Sequence, residues 1–454
     1  MLLRKFLFIS LIGLVSVSCS SESGEDSKEA SKTVVSSKGN GVKIQSWKSD
    51  KGAKVMFVNA PQLPMIDIRL VFNAGSARDG AQPGIARLTN TMLSQSAGDW
   101  TTDEIAEQFE AVGANFSVSA LRDMALMSLR SLTDEKLMAQ AINTFKAVIA
   151  KPVFKQDEVD RKKAHQLISI QNQLQSPGSI ANKTFYEAVY KGHPYAHSSI
   201  GAKESVSAIK IEDLKSFYNR YYVAANLTIA IVGNVDQKQA HALAEELTAG
   251  LGKGTPAEKL PELKLPKQAQ TVHTEYAATQ THILVGQPGM KRGDADYYNL
   301  YVGNHILGGS GFGSRIMQEI REKRGLAYSS YSYFVPMQVQ GPFTMGLQTK
   351  NAKTVEALDI LNKTLLDFID KGPTQEELEH SKNNITGGFP LRVDSNKDIT
   401  EYLAVIGFYN LPLDYLNTFN GEVNAVTVES IKDAFKRRVH PDKLTTITVG
   451  KKIK

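Results

Sequence analysis

Strand-like and helix-like hydrophobic patterns alternate along this chain. The segments 55–59 (VMFVN) and 66–72 (IDIRLVF) are rich in β-branched and aromatic residues, and they predict two neighbouring strands of one sheet. Pro83 and Gly84 follow, and a helical pattern begins at Ile85. Later segments mix strands and helices in the same way, so the pattern predicts an α+β fold.

One part of this pattern occurs twice. An amphipathic helix pattern beginning at Ile211 leads to the apolar run 227–233 (LTIAIVG), which ends in glycine. The same order recurs from Val428 to 444–450 (LTTITVG), with equal spacing between helix and strand. Repeats this long exceed the units of solenoid proteins and indicate duplication of a whole domain.

The boundary between the two copies is predicted at residues 253–267 (KGTPAEKLPELKLPK). Prolines and charged residues are frequent there, and no helical or strand period is evident. We therefore predict a first domain at 41–252 and a second domain at 268–454.

The N-terminus predicts export and a lipid anchor. Two basic residues precede an apolar run that is too short to span a bilayer, and the run ends before Cys19, the only cysteine of the chain. Small residues before this cysteine resemble a bacterial lipoprotein processing site. We predict a signal peptide at 1–19 with lipid on Cys19, and a disordered tether at 20–40. An ordinary cleaved signal or a membrane anchor remains the alternative.

Composition narrows the classes of partner. The net charge is +6, with 22% charged and 42% hydrophobic residues, as in ordinary globular proteins. No basic run is interleaved with aromatic residues, which argues against a nucleic-acid partner. Ser20 after the cysteine favours sorting to the periplasmic face of the outer membrane, and a soluble periplasmic location is the alternative.

The segment 84–91 (GIARLTNT) has the frame of a zinc motif without its ligands. It resembles the H-x-x-E-H motif of the insulinase (pitrilysin) family of zinc metallopeptidases, in which two histidines four residues apart share one helix face. Here Arg87, Asn90 and Thr91 occupy the histidine, glutamate and histidine positions. Arginine stays protonated, asparagine accepts no proton and threonine ligates zinc poorly. The resemblance therefore implies that this helix binds no metal.

The family's third zinc ligand, a glutamate, is missing as well. The resemblance places it in residues 166–171 (QLISIQ), and neither Asp nor Glu occurs between Arg161 and Tyr186. His193 and His197 lie in a proline-containing segment that predicts a loop, where a spacing of four does not impose one face. His241 and Glu245 share a helix pattern, but nothing near them supplies a third ligand. None of these groups predicts a metal site.

A glycine-rich segment carries the strongest signal of the second half. A glycine loop before a helix can bind phosphate, but the spacing fits no nucleotide-binding fingerprint. The segments 307–315 (LGGSGFGSR) and 321–328 (REKRGLAY) instead resemble the second domain of insulinase-like peptidases. There an arginine and a tyrosine seven residues apart contact the substrate backbone and stabilise the oxyanion. The resemblance assigns these roles to Arg321 and Tyr328, and it assigns peptide binding to the residues Gly308, Gly309, Ser310, Gly311, Phe312 and Gly313.

The resemblance covers almost the whole chain after residue 40. It implies two homologous insulinase-like domains, each with a mostly antiparallel sheet and helices packed on it. It also implies a non-metal-binding subunit that holds no cofactor, binds peptide and supplies Arg321 and Tyr328 to a zinc-bearing homologue. Such a chain would be inactive alone and would contribute to peptide hydrolysis only with that partner. The alternative is a purely structural or peptide-binding outer-membrane subunit without a catalytic role.

Overall fold

A computed structural model describes residues 41–452, in two halves that each contain one sheet. The predicted signal peptide, tether and lipid-bearing Cys19 lie outside these residues. The strands of the first half are β1 (Gln45–Lys48), β2 (Lys54–Asn59), β3 (Met65–Phe72), β4 (Asn115–Ala120), β5 (Ala125–Leu132) and β6 (Leu227–Gly233). Its helices are α1 (Ile85–Met92), α2 (Thr102–Glu110), α3 (Glu135–Ala150), α4 (Gln156–Leu174), α5 (Pro177–Val189), α6 (Lys203–Ala208), α7 (Ile211–Tyr221) and α8 (Gln237–Thr248).

The second half repeats this arrangement after residues 252–267, which contain no helix or strand. Its strands are β7 (Gln270–Glu275), β8 (Gln280–Pro288), β9 (Ala327–Phe334), β10 (Pro342–Lys350) and β11 (Thr445–Gly450). Its helices are α9 (Tyr297–Asn304), α10 (Arg315–Met317), α11 (Thr354–Lys371), α12 (Gln375–Gly388), α13 (Asn396–Tyr409), α14 (Tyr415–Ala425) and α15 (Val428–Arg438). The repeated pattern found in the sequence corresponds to α7–β6 and α15–β11, which confirms the duplication.

The strand orders are β1-β2-β6-β3-β5-β4 and β7-β11-β8-β10-β9, and they match except for the additional edge strand β1 of the first sheet. Only the pairs β2–β6 and β7–β11 are parallel among the described strands, so the prediction of mostly antiparallel α+β domains is confirmed. The prediction that β2 and β3 are neighbours is wrong, because β6 lies between them and pairs with both. A strand so far along the chain cannot be placed by local periodicity.

One helix of each half packs on the sheet of the other half. Helix α13 packs on β6 and β3 of the first sheet, and Gly407 leaves the space that Met56 and Thr228 occupy. Helix α5 packs on β8 and β11 of the second sheet, where Gly286 leaves space for the ring of Phe185. Both faces of the central strands are therefore buried, and the two halves share their cores.

A buried carboxylate also ties the halves together. Asp123, in the β4–β5 turn, accepts hydrogen bonds from the hydroxyl groups of Tyr195 and Tyr409 and from the amide of Gln338. Tyr409 and Gln338 belong to the second half. Burial raises the pKa of Asp123 above its ordinary value. Across residues 41–452, no helix has the length and apolar character needed to cross a membrane.

Candidate functional site

Helix α1, which carries the degenerate zinc motif, is anchored at its first turn. Gly84 has a φ of 100°, a left-handed conformation that glycine adopts readily. The buried carboxylate of Asp79 accepts hydrogen bonds from the amides of Gly84 (2.7 Å) and Ala86 (2.9 Å). It also accepts from Nε2 of His197, at 3.0 Å. These bonds satisfy amides that an α-helix leaves unpaired at its start, so they serve the fold.

The three motif positions of α1 do not converge on a common ligand. Asn90 is buried, and its side-chain amide donates a hydrogen bond to the hydroxyl of Tyr222 at 3.2 Å. Arg87 is exposed and Thr91 is half-buried. Among residues 41–452, no group of three or more His, Cys, Asp or Glu side chains is placed to hold a metal ion. The residues present do not fit a zinc site.

Gln166 lies in the segment 166–171, where the third ligand was expected, and its side chain stabilises the fold instead. Its buried side-chain amide donates to the carbonyl oxygens of Gly84 (3.1 Å) and Ile200 (2.9 Å). One amide thus joins α4, the start of α1 and the loop before α6. A carboxylate at this position would lose both bonds, because it has no proton to donate.

The remaining histidine pairs are also engaged in internal contacts. Nδ1 of His193 accepts from the amide of Tyr195 (3.0 Å), so its Nε2 carries the proton and donates to Pro261 at 3.1 Å. His193 thereby fixes the segment between the domains. His241 stacks on Trp47 with ring centroids 3.9 Å apart. Glu245 accepts hydrogen bonds from the amide of Asp50.

The glycine-rich segment continues α9 rather than forming an open loop. Residues 305–309 make one π-helical turn and residues 311–313 make one 3₁₀ turn. Gly308 is buried, and a Cβ atom there would lie 2.4 Å from Oγ of Ser332 on β9. Gly308 therefore permits close packing, whereas Gly309, Gly311, Phe312 and Gly313 are exposed and Ser310 is half-buried.

Arg321 lies in a second π-helical turn and faces this segment. Its guanidinium carbon is 4.5 Å from the ring centroid of Phe312, which is 63% exposed. Arg321 makes no ion pair with any residue in 41–452. The neighbouring Arg315 pairs with Glu377 at 2.5 Å, and Arg324 pairs with Glu319 at 2.6 Å. Arg321 thus differs from both neighbours in keeping its guanidinium available.

Tyr328 stands at a bulge in the edge strand β9. Ala327 pairs with Thr349 and Ser330 pairs with Leu347, so two residues of β9 lie opposite one residue of β10. A bulge of this kind redirects a side chain and interrupts pairing. Tyr328 is 86% exposed, more than any other large hydrophobic or aromatic residue among those described. Its role and that of Arg321 in catalysis remain predictions.

An aromatic cavity of about 520 Å³ lies further along β9, between the second sheet and α5. Its walls include Ser329, Tyr331 and Tyr333, at every second position of β9, together with Val335 just after the strand and Tyr186 of α5. Sequence reasoning missed this cavity. The alternation of tyrosine in AYSSYSYF was the available signal, since residues two apart share one sheet face.

Comparison with known proteins decides the family. The chain resembles a Pseudomonas fluorescens protein, solved as a "peptidase M16 inactive domain", at 40% identity and a TM-score of 0.88, over 90% of this chain and 98% of that one. The model "Insulinase (Peptidase family M16)" matches residues 54–203, and "Peptidase M16 inactive domain" matches residues 208–385. The chain belongs to peptidase family M16.

Relatives within M16 carry two kinds of name. A Helicobacter pylori relative, 27% identical over 86% of this chain and 90% of its own length, is named "Non-peptidase homolog YmxG". A Bacillus subtilis relative, 24% identical over 86% of this chain and 94% of its own length, is named "Uncharacterized zinc protease YmxG". The altered motif of α1 agrees with an inactive M16 chain. The limits of the domains and of the segment 253–267 stay predictions.

Proposed function

We propose that this chain is the non-metal-binding subunit of a two-chain M16 peptidase. It binds peptide and supplies Arg321 and Tyr328 to a homologue that bears the zinc motif. The observation that carries the proposal is a contrast between two sets of polar side chains. The zinc-motif region is bonded into the fold, whereas Arg321 and Tyr328 stay available at the surface.

The chemistry of these two groups suits a reacting carbonyl. A guanidinium is always charged and presents several donors, and a phenol presents one more. Donors held in place beside a developing oxyanion lower the barrier, because they need no reorganisation during the reaction. The stacking of Arg321 on Phe312 supports this role, because it limits the freedom of a side chain that has no carboxylate partner among residues 41–452.

The aromatic cavity supports peptide binding near the same edge. Edge strand β9 has a free side, and alternate residues of β9 line the cavity. An apolar side chain of a bound peptide would bury surface against Tyr331 and Tyr333, which stack at 5.0 Å.

The experiment is reconstitution with the zinc-bearing M16 homologue of the same organism. Peptide hydrolysis is measured for each chain alone and for the mixture, and the metal content of this chain is measured by mass spectrometry. We expect no stoichiometric zinc and no activity in this chain alone, and activity in the mixture. Arg321→Ala should lower kcat/KM of the mixture about 100-fold, the usual effect of removing one oxyanion donor.

A matched control separates this role from general charge loss. Arg324 lies three residues further on and is already paired with Glu319, so Arg324→Ala should change kcat/KM less than about threefold. Full activity of both the Arg321→Ala and the Tyr328→Phe mixtures would rule out the catalytic role. Stoichiometric zinc in this chain alone would contradict the non-metal assignment.

A second candidate is a structural or peptide-binding subunit without catalysis. The name "non-peptidase homolog" of the Helicobacter pylori relative favours it. If this candidate is correct, the mixture gains no activity, while a peptide labelled with a fluorophore still binds the chain.

The anchoring part of the proposal places lipid on Cys19 at the periplasmic face of the outer membrane. Labelled palmitate should enter the wild-type chain and not Cys19→Ala.

A further inference from the structure

A second cavity, of about 550 Å³, lies among the helices of the second half, and its lining includes neither Arg321 nor a residue of β9. Its walls come from α9, α13, α14 and the loops before α9 and α13. Ring-bearing side chains supply much of the wall: Tyr297, Tyr301, Tyr402, Tyr415 and Phe419. Cavities of this size, mostly apolar with a few fixed polar groups, are typical of small-molecule sites.

Two arginines line this cavity, and neither forms an ion pair with a carboxylate of residues 41–452. The second half contains seven arginines, and four of them form ion pairs, namely Arg315, Arg324, Arg437 and Arg438. Within residues 41–452, three have no such pair. One is Arg321, and the other two, Arg292 and Arg392, both line this cavity. Guanidinium groups form their strongest hydrogen bonds with anions, so two of them at one cavity without an ion pair suit an anionic ligand.

Of the two arginines, Arg292 is the one with an unsatisfied buried hydrogen-bond donor. Its Nε atom is buried and has no hydrogen-bond partner in the described part of the chain. Its guanidinium carbon lies 5.7 Å from the ring centroid of Tyr409, which orients the group without satisfying its donors. An unsatisfied buried donor of a charged group is costly, and a bound acceptor would remove that cost.

Arg392 stands at the rim and is held in place by a phenol. Its Nη1 donates to the hydroxyl of Tyr301 at 3.0 Å. The charges of Arg292 and Arg392 both act on Tyr402, which places the two cations around one phenol. Burial is the main cause that raises the pKa of Tyr402, so its hydroxyl stays protonated at neutral pH and can donate to an anion.

The remaining charges select the kind of anion. Asp398 and Glu401 of α13 also line the cavity, and Glu401 is paired with Arg69 at 2.8 Å. Carboxylates at the wall oppose an ion with several negative charges, such as phosphate, more than an ion with one. The five rings favour a ligand with an aromatic group. At the rim, Leu391 is 74% exposed beside Arg392 and adds apolar surface.

We propose that this cavity binds the carboxylate of a small acid that carries an aromatic ring, the chemistry of the C-terminal residue of a peptide. Arg292 and Arg392 bind the carboxylate, and the tyrosine and phenylalanine rings surround the ligand's ring. The site shares no residue with the Arg321 region, so it does not depend on the proposed peptidase role.

Calorimetric titration of the full chain tests the assignment with N-acetyl-L-phenylalanine, its primary amide and inorganic phosphate. The acid should bind at least about tenfold more tightly than the amide, because only the acid offers a charged acceptor to the guanidinium groups. Phosphate should bind more weakly than the acid. A pentapeptide with a free C-terminal phenylalanine distinguishes the two sources of this chemistry: equal binding assigns the site to peptide ends, and weaker binding assigns it to free acids.

Matched arginine variants locate the site. Arg292→Met and Arg392→Met should each weaken binding of the acid about tenfold and leave binding of the amide unchanged. Arg437→Met is the control, because Arg437 is paired with Asp296 and Asp433, and it should leave acid binding unchanged. Circular dichroism confirms that each variant is folded.

Three results would overturn the proposal. One is equal affinity for the acid and the amide, or no binding of either to the wild-type chain. Another is phosphate binding as tight as that of the acid. The third is unchanged acid binding in folded Arg292→Met and Arg392→Met.

Discussion

Polar side chains have opposite environments in two regions of the molecule, the zinc-motif helix of the first half and the Arg321 region of the second half. Asn90 of α1 and Gln166 of the adjacent α4 are both buried, and each side chain forms hydrogen bonds within the protein. In the second half, Arg321 and Tyr328 are at the surface, and no ion pair within residues 41–452 engages Arg321. A polar side chain that is bonded inside the protein contributes to stability. A polar side chain without such a bond is a better candidate for contact with a ligand.

The cavities beside the exchanged helices show the same contrast. The first half has a cavity of about 290 Å³ next to α13, lined by charged groups. Asp67 pairs there with Arg130 (2.9 Å), and Arg69 pairs with Glu401 (2.8 Å). The corresponding position in the second half, next to α5, is the aromatic cavity along β9. The two copies thus carry cavities at corresponding positions, with a mainly charged and polar wall in the first half and a largely aromatic and apolar wall in the second.

The largest effect that this comparison predicts is on stability, at Gly84. A Cβ atom there would lie within 2.8 to 2.9 Å of Val206, Gln166 and Ile200, and φ is 100°. Gly84→Ala should therefore lower the free energy of unfolding by about 4 kcal/mol, the sum of backbone strain and overpacking. Urea denaturation followed by circular dichroism measures it.

Gly98 provides the matched control. It also has a positive φ, 59°, but nothing lies within 4 Å of an added Cβ. Gly98→Ala should cost only about 1 kcal/mol, the usual penalty of the left-handed conformation. Equal losses in the two variants would mean that the packing around Gly84 contributes nothing.

A smaller effect is expected at Gln166, within the segment 166–171 in which the resemblance places the family's third zinc ligand. Gln166→Leu removes the donor to the carbonyl oxygens of Gly84 and Ile200, so we expect a loss of about 2 kcal/mol in the free energy of unfolding. Gln171→Leu, on the exposed face of the same helix, should change stability by less than about 0.5 kcal/mol. An unchanged free energy of unfolding in Gln166→Leu would contradict a structural role for this position.

Local sequence signals predicted much of the fold. The duplication, the start of α1 after Gly84 and the α+β class follow from periodicity, glycine and repeated spacing, which act over a few residues. The altered ligands at Arg87, Asn90 and Thr91 were readable because a motif fixes residue types at set positions. These features need no knowledge of distant contacts.

The exchange of α5 and α13 and the placement of β6 were not predictable in this way. They depend on which distant surfaces meet, and an amphipathic pattern does not say which sheet a helix covers. The same limit applies to the site. Arg292 and Arg392 are a hundred residues apart, and only the structure shows that they share a cavity and lack carboxylate partners among residues 41–452. The roles of Asp123 and Gln166 were hidden for the same reason.

The buried Asp123, which joins the halves, gives a dependence on pH. Its raised pKa means that the folded state holds a proton that the unfolded state has lost, in the interval just above the ordinary value of 3.8. The free energy of unfolding should therefore decrease as pH rises through that interval. Asp123→Asn lacks this titration, so the stability of the wild type relative to the variant should fall as pH rises from 4 towards 7. A relative stability that increases over this range would contradict the raised pKa. Asp79, also buried with a raised pKa, is present in both proteins, so its effect cancels.

The smallest effect on the free energy of unfolding is expected at Arg321 and Tyr328, the residues proposed to act in catalysis. Tyr328 is exposed, and Arg321 is half-buried and forms no ion pair within the described chain. Arg321→Ala and Tyr328→Phe should therefore each change the free energy of unfolding by less than about 0.5 kcal/mol. Urea denaturation of both variants, beside Gln166→Leu, measures the contrast in one experiment. A loss of 2 kcal/mol or more at either position would show that the fold uses these side chains too, and any loss of activity in the reconstituted pair would then have a structural cause. Stable variants with reduced activity would separate the two kinds of residue.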